Sequence, residues 1–177
     1  MSDLVRPPWS QRTFAFVHPP WMLADFVERL RGVVPRLTLL LAGLDEATAR
    51  RQPDGKWSIA QNAGHLADVE ELWQVRLEDL RQGRAAYTPA DAVKYQQAAL
   101  RHQDRALPEI VADLAARRAR FVDALVHASP GVQQASAFHP RLKVQMRLVD
   151  CAQFAAEHDD QHLLRIREIR GLSGLPS

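Results

Sequence analysis

Apolar residues recur every three or four positions along most of the chain, which is the spacing of helices that bury one face. The first such stripe starts at Trp21 and continues through Leu23, Phe26, Leu30, Val33, Leu37, Leu40, Leu41 and Leu44. Pro35 lies inside the stripe, and because proline disturbs the helical turn before it, we expect a kink or break near residues 33–34. Residues 45–56 are polar and predict a loop with no more than one loose turn.

A second helix has a well-marked start. Ser58 and Gln61 have the spacing of a capping box, in which the hydroxyl and the amide each bond a backbone N–H group at the helix start. Gly83 marks the end of this helix. The predicted inward positions between these points are Ile59, Asn62, Leu66, Val69, Trp73, Leu77 and Leu80.

The C-terminal half predicts a short helix over residues 91–105 and two long ones. Pro108 lies near the start of the first long helix, whose inward residues are Val111, Leu114, Phe121 and Leu125. Residues 129–140 interrupt the pattern with proline and glycine. The last helix is expected to start near Val144 or Leu148, to run to Arg170 and to stop at Gly171 and Gly174. Its expected inward face comprises Leu148, Cys151, Ala155, His158, His162, Arg165 or Ile166, and Ile169.

Four long helices, with no segment of convincing strand alternation, predict an all-α four-helix bundle. Residues 1–20 are rich in proline and aromatic side chains. They predict an irregular N-terminal arm that lies on the bundle. The bundle itself is expected to comprise residues 21–177.

Composition and charge narrow the function classes. The formal net charge is +2 over 177 residues, with no long stretch of one sign, which gives no electrostatic case for nucleic-acid binding. The single cysteine, Cys151, cannot form a disulfide within the chain, and residues 1–17 lack the apolar run of a signal peptide. The longest apolar stretch, residues 37–44, is far shorter than the ~20 residues that span a bilayer. We therefore expect a soluble, cytoplasmic protein with neither nucleic acid nor membrane as a partner.

The seven histidines carry the candidate chemistry, and two of them form a pair on the last helix. His158 and His162 are four residues apart, which places their side chains on one face with Cβ atoms ~5–6 Å apart. Two imidazoles in this arrangement can bind one zinc ion at ~2.0–2.1 Å. A surface histidine pair and a core pair bonded to carboxylates remain the alternatives.

His65 favours the metal-binding interpretation. It follows the predicted cap at Ser58 by seven residues and lies beside the inward Leu66. If the helices alternate in direction, the second and fourth run the same way, and His65 can face the pair on the fourth. Three histidines from two helices leave a fourth metal position open, which is typical of a catalytic site.

Two other metal-binding patterns of helical proteins have spacings close to this one. A di-iron carboxylate bundle needs glutamate three residues before histidine, and no histidine of this chain has it. The run from His158 to His162 is one methylene short of the metalloprotease motif His-Glu-x-x-His, so Asp159 is a candidate general base for a hydrolase of small substrates. His139 precedes the last helix and is a candidate proton carrier or fourth ligand, with simple packing as the alternative. The remaining histidines are expected at the surface or in packing roles: His18, His102 and His127.

Several short segments resemble the DinB/YfiT-like superfamily. Gly-Lys-Trp-Ser-Ile-Ala-Gln at 55–61 and Gly-His-Leu-Ala-Asp at 64–68 resemble the start of its second helix. The segments 138–142, 146–150 and 156–163 resemble the fourth helix of this superfamily and the loop before it. The likeness covers most of residues 14–169, and its specific content is three histidines together with the Trp-Ser pair.

The resemblance implies a four-helix bundle that holds one divalent metal, zinc or nickel and sometimes iron or manganese, on three histidines. By position these are His65, His158 and His162. Characterised branches include S-transferases that use low-molecular-weight thiols such as bacillithiol, and a mycothiol-dependent isomerase. Other members are stress-inducible and often dimeric. The resemblance thus implies a metal-dependent thiol S-transferase that acts on a small electrophile, with a homodimer as the expected assembly.

Neighbouring side chains then have candidate roles. Asp68 and Asp159 each lie three residues from a ligand and are candidates to orient imidazoles. Cys151 is expected to be a small core residue and not a nucleophile. Candidates to hold the carboxylates of the thiol, with ordinary solvated arginines as the alternative, are Arg76, Arg147 and Arg165.

Two other functions remain open at this point. One is metal-dependent hydrolysis of a small molecule, with Asp159 or His139 as the base. The other is a non-catalytic metal-binding dimer, for which bundle faces that carry Trp21 or Trp73 are candidate contacts.

Overall fold

Helices make up most of residues 7–171, the part of the chain that the computed structural model describes. In chain order the elements are α1 Leu23–Arg31, α2 Val33–Leu41, α3 Glu46–Arg50, α4 Ile59–Arg81, α5 Ala92–Leu100, α6 Leu107–Val126, α7 Pro130–Gln134, β1 Ser136–His139, β2 Val144–Arg147 and α8 Leu148–Ile169. Residues 1–6 of the expected arm and the expected helix stop at Gly174 lie outside the described residues.

The predicted four-helix bundle is confirmed, with α1 and α2 together forming its first helix. α4 packs against α6 and α8, and α1 packs against the same two helices. The second and last long helices are therefore direct neighbours, so side chains from both meet inside the bundle. Within residues 7–171, no helix combines the length and the apolar character needed to cross a membrane.

The expected interruption of the first helix occurs one residue earlier than predicted, at Gly32 between α1 and α2. Pro35 has no N–H group to donate to the carbonyl of Arg31, four residues before it, so the helical ladder fails there. Helix resumes at once, because the N–H group of Arg36 donates to the Gly32 carbonyl at 3.2 Å.

The loop between the first two bundle helices holds more structure than expected. Asp45 caps α3 by accepting a hydrogen bond from the Thr48 N–H group at 2.8 Å, and a short 3₁₀ turn follows at Pro53–Gly55. A five-residue helix is too short to show a hydrophobic period, which is why the pattern predicted only a loose turn.

The predicted capping box at the start of α4 is confirmed. The Ser58 hydroxyl accepts from the Gln61 N–H group at 3.2 Å, and the Gln61 side-chain oxygen accepts from the Ser58 N–H group at 2.9 Å. Gly83 ends the helix with a φ of +65°, a conformation that favours glycine. All seven positions that were predicted to face inward along α4 are buried.

The hairpin formed by β1 and β2 corrects the expectation that the chain has no strands. Its antiparallel register pairs Ala137 with Met146, and both side chains are fully buried. Each strand has four residues, too few for an alternating pattern to stand out. The hairpin fixes the start of α8 at Leu148, the later of the two expected positions.

The described part of the N-terminal arm packs on the bundle through aromatic rings. Trp9 and Phe14 both contact Phe154 of α8, with ring centroids 5.1 Å and 5.0 Å apart. These contacts bring the arm to the same part of α8 that carries the histidine pair.

Candidate metal centre

Three imidazoles meet between α4 and α8. His65 lies on the second turn of α4, and His158 and His162 lie one turn apart on α8. One side-chain nitrogen from each residue lies within 4.8 Å of those from the other two. Nε2 of His65 and Nε2 of His158 are 3.4 Å apart, and each of the three residues is only 7% exposed. The structure therefore brings the three predicted ligands into one buried group.

The geometry of this group fits a divalent ion. Two nitrogens that bind one zinc ion tetrahedrally at ~2.0–2.1 Å lie roughly 3.3–3.4 Å apart, which matches the distance between His65 and His158. Burial, assisted by the neighbouring imidazoles, lowers the pKa of His65 to about 3 and the pKa of His162 well below its ordinary value. Neutral imidazole is the form that binds metals, so the site keeps these side chains in the binding form.

Asn62 determines which nitrogen of His162 is available. The Asn62 amide nitrogen donates to the backbone carbonyls of Trp57 at 3.1 Å and Ser58 at 2.8 Å. The amide oxygen is left to accept a hydrogen bond, and it lies 2.9 Å from Nδ1 of His162. The proton of neutral His162 is then on Nδ1, which leaves Nε2 as the metal-binding atom.

The other two rings are short of polar partners. Nδ1 of His65 and Nδ1 of His158 are buried without a hydrogen-bond partner among the described residues. Their Nε2 atoms face each other, and two unprotonated imidazole nitrogens are both hydrogen-bond acceptors. The contact is therefore favourable only with a proton or a cation between them. A metal ion meets that requirement.

Asp159, the candidate general base, is fully buried and bound to Arg118. Nη1 of Arg118 donates to Asp159 Oδ2 at 2.6 Å and to the Leu30 carbonyl at 3.2 Å, while two of its other nitrogens donate to Glu70. Burial alone would raise the pKa of Asp159, but the charge of Arg118, the nearby His158 and the hydrogen bond from Arg118 lower it on balance. The other carboxylate oxygen lies 3.9 Å from Nδ1 of His158. Asp159 therefore lies behind the His158 ring and does not line the cavity beside the three histidines.

Asp68, expected to orient His65, instead binds His102. Its Oδ2 lies 3.0 Å from Nε2 of His102, a residue that is 3% exposed. The His102 ring lies so close to Gly64 that a Cβ atom there would be 2.0 Å from the ring. His102 thus has a packing role, and Gly64 allows the chain after α5 to approach α4 at the residue before His65.

His139 is held within its own hairpin. Its Nδ1 accepts a hydrogen bond from the Leu142 N–H group at 3.2 Å. Burial, followed by the charges of Arg76 and Arg141, lowers the pKa of His139 to about 4. Within residues 7–171, the nitrogens close enough to share an ion belong to the three histidines of α4 and α8, and not to His139. Its Nε2 is buried without a hydrogen-bond partner among the described residues, so a role as proton carrier stays a prediction.

The three candidate arginines differ in what they contact. Nε of Arg147 donates to Asp150 at 2.9 Å at the start of α8, and Arg165 pairs with Glu168 at 3.2 Å. Arg165 thus pairs with a carboxylate on its own helix, and Arg147, the last residue of β2, pairs with one in the first turn of α8. Arg76 is buried and lines a cavity beside the histidines.

This cavity has a volume of about 470 Å³ and is lined in part by the three histidines. The Trp9 ring centroid lies 5.3 Å from that of His158, and the aromatic side chains of the wall are Trp9, Trp57, Trp73, Tyr95 and Phe154. Trp73 lies in this wall and is 5% exposed, so it is not on an outer face as a dimer contact requires. Arg141 contributes a positive charge from the hairpin, and no aspartate or glutamate is among the described lining residues.

Cys151 is a partly buried residue whose Sγ donates to the Tyr87 hydroxyl oxygen at 3.0 Å. Burial raises the pKa of its thiol to about 11, so it is protonated at neutral pH and a poor nucleophile. The high thiol pKa agrees with the expectation that Cys151 is not a nucleophile, but the residue packs against the core from its edge and is not buried within it.

Comparisons with known proteins identify the fold and the family. Residues 26–166 match the family profile of the DinB superfamily. The fold is similar to that of YfiT from Bacillus subtilis, described as a probable metal-dependent hydrolase with an unusual four-helix bundle topology, with a TM-score of 0.76 and 19% identity over 93% of this chain and 95% of that chain. A protein from Streptococcus pneumoniae is similar with a TM-score of 0.64 and 14% identity, over 92% of this chain and 94% of that chain. No curated protein matches the sequence.

Proposed function

The chain belongs to the DinB superfamily, and from this premise we propose that it is a metal-dependent enzyme that transfers a low-molecular-weight thiol to small electrophiles. His65, His158 and His162 would hold one divalent ion, zinc or nickel, and leave a position open for the thiol. An ion bound only by neutral imidazoles keeps its full charge and would lower the pKa of such a thiol enough to give a thiolate at neutral pH.

The observation that carries this proposal is the chemistry of the cavity wall. The described wall residues include no carboxylate, and neither Asp159 nor His139 lines the cavity. A protein base is not required to activate a metal-bound thiol, whose pKa is about 8.5 even when free and far below that of water, whereas hydrolysis is helped by a positioned base. Aromatic side chains such as Trp9 and Trp73 provide an apolar surface for a small electrophile and limit access of water.

Metal content is the first test. Protein purified without a histidine tag is expected to contain about one metal equivalent per chain, and His158→Ala is expected to contain little. His127→Ala is the matched control. His127 is exposed at the end of α6, and its ion pair is with Asp123 and not with any of the three histidines. No bound metal in the parent protein, even after reconstitution with zinc and nickel, would overturn the proposal.

Activity then separates the proposed transferase from the hydrolase suggested by the description of YfiT. The metal-loaded protein is expected to consume an electrophile such as chlorobimane only when a thiol is present. Turnover of a small ester or amide without thiol would favour hydrolysis instead. Tight metal binding without turnover of either kind would favour a non-catalytic metal-binding protein.

We also propose a homodimer, with Trp21 as a candidate contact because it is 71% exposed. Sedimentation velocity of the parent chain and of Trp21→Glu tests this. The parent is expected to sediment as a dimer and the variant as a monomer. In this proposal the ligands are a thiol and an electrophile, and neither nucleic acid nor a membrane is a partner.

A further inference from the structure

Arg76 is a buried cation without a carboxylate partner among the described residues. It is 4% exposed, and its one hydrogen bond runs from Nε to the Thr88 carbonyl at 3.4 Å. The bundle's other deeply buried arginine, Arg118, is by contrast bound to two carboxylates. Burial of a cation is costly unless an anion or several hydrogen-bond acceptors compensate it, so Arg76 lacks a partner that its position calls for.

Arg141 brings a second positive charge to the same cavity. It forms no ion pair with the described residues, and its polar contacts are long ones of 3.5 Å to the carbonyls of Trp9 and Ser10. Burial is the main cause that lowers the pKa of Arg76, and the charge of Arg141 lowers it further. The two guanidinium groups are therefore close enough to repel each other. Two positive charges therefore face a cavity whose described wall contains no acidic residue.

An indole ring lies between each arginine and His158 of the candidate metal centre. The Trp73 ring centroid lies 5.5 Å from the Arg76 guanidinium carbon and 5.8 Å from the His158 ring. The Trp9 ring lies 5.8 Å from the Arg141 guanidinium carbon and 5.3 Å from the same histidine. A small ligand that lies along an indole can thus place an anionic group on an arginine and its other end at the histidines.

We propose that Arg76, assisted by Arg141, binds a carboxylate group of the substrate in this cavity. Guanidinium binds carboxylate through two parallel hydrogen bonds, and a site shielded from water strengthens such a pair. The apolar part of the ligand lies against the aromatic wall. The inference rests on the proposed function for the reaction of the ligand at the three histidines. Binding of the carboxylate at Arg76 depends only on the charge and burial of that arginine.

The test compares phenylacetate with phenylacetamide, which has a similar shape and no charge, by calorimetric titration into the protein with its metal as purified. The parent is expected to bind the carboxylate roughly tenfold or more tightly than the amide. Arg76→Gln is expected to lose this preference and Arg76→Lys to keep part of it. The matched control is Arg167→Gln, which removes the same charge from the exposed face of α8 and is expected to keep the full preference.

Equal binding of carboxylate and amide by the parent would overturn the inference, as would an undiminished preference in a folded Arg76→Gln. If Arg76→Gln does not fold, Arg76→Lys decides, because a carboxylate also binds zinc at an open position and the preference of the parent alone does not identify the arginine. Metal content is measured on the same samples. A protein that binds metal without preferring the carboxylate refutes the arginine site alone, whereas a protein that prefers the carboxylate but binds no metal refutes only the proposed function.

Discussion

Arg118 donates a hydrogen bond to Asp159 at 2.6 Å, and both side chains are almost completely buried. The same guanidinium donates to Glu70 of α4 and to the Leu30 carbonyl of α1, while Arg118 itself belongs to α6 and Asp159 to α8. One cation therefore joins all four helices of the bundle, and it does so beside His158 of the candidate metal centre.

Removal of this cation is expected to destabilise the fold strongly. Arg118→Met leaves the carboxylates of Glu70 and Asp159 buried without their partner, which typically costs ~3–5 kcal/mol. Urea denaturation followed by circular dichroism measures the loss. The control is Arg117→Met, one residue earlier on α6, whose pair with Asp113 is partly exposed and typically contributes less than ~1 kcal/mol. Equal losses in the two variants would contradict this account.

Glu70 is expected to give the fold a distinct pH dependence. Two carboxylates share one guanidinium, and burial raises the pKa of Glu70 to about 7 despite the opposing effect of Arg118. A carboxyl group with a raised pKa favours folding while it is protonated. Its contribution is therefore largest below its ordinary pKa of 4.5 and declines as the pH rises to about 7. The slope from one proton is at most ~1.4 kcal/mol per pH unit.

The measurement is a difference between the parent and Glu70→Gln, which keeps the shape but does not titrate. The subtraction is needed because the buried histidines act in the opposite direction. His65 and His139 have lowered pKa values, so their contribution to stability is present above their ordinary pKa of 6.5 and is lost as the pH falls. Between pH 5 and 7 the parent is expected to lose stability relative to Glu70→Gln. A constant difference over that range would mean that Glu70 does not titrate there.

The overall fold and the histidine group were accessible from the sequence because both depend on short-range spacing. The capping box of Ser58 and Gln61 fixed the start of α4, and the four-residue spacing of His158 and His162 fixed their common face. Which helices are neighbours is not a local property, and the contact between α4 and α8 appears only in the folded bundle.

The buried charge network was missed although the sequence contains a signal for it. Arg118 falls in the apolar stripe of α6, four residues after Leu114 and three before Phe121, and Glu70 occupies a similar place four residues after Leu66. A charged residue in a core stripe needs a buried partner, so these positions predict pairing. The partner itself, and the arrival of Arg141 at the cavity from a hairpin, depend on long-range packing.

Asn62 is expected to control metal affinity without binding the metal. Asn62→Leu removes the acceptor for Nδ1 of His162, and loss of such a partner typically lowers metal affinity roughly 10–100-fold. Competition with a chromophoric chelator measures the affinity. Asn62→Asp keeps an acceptor oxygen but loses the amide bonds to Trp57 and Ser58, so it is expected to lose stability and to retain much of the affinity. Equal affinity of Asn62→Leu and the parent would contradict a role in orienting His162.

Gly64 and His102 are expected to show strong energetic coupling. Gly64→Ala places a methyl group 2.0 Å from the His102 ring, so the ring must move and lose its bond to Asp68, at a cost of ~1–3 kcal/mol. His102→Ala alone leaves a gap and an unpaired Asp68. In the double variant the methyl group occupies part of that gap, so the combined loss is expected to be smaller than the sum by ~1 kcal/mol or more. Gly131→Ala is the control, because the nearest atom to its added methyl group is 4.0 Å away. Additive losses in the double variant would mean that the close approach of α4 and the His102 ring does not limit residue 64.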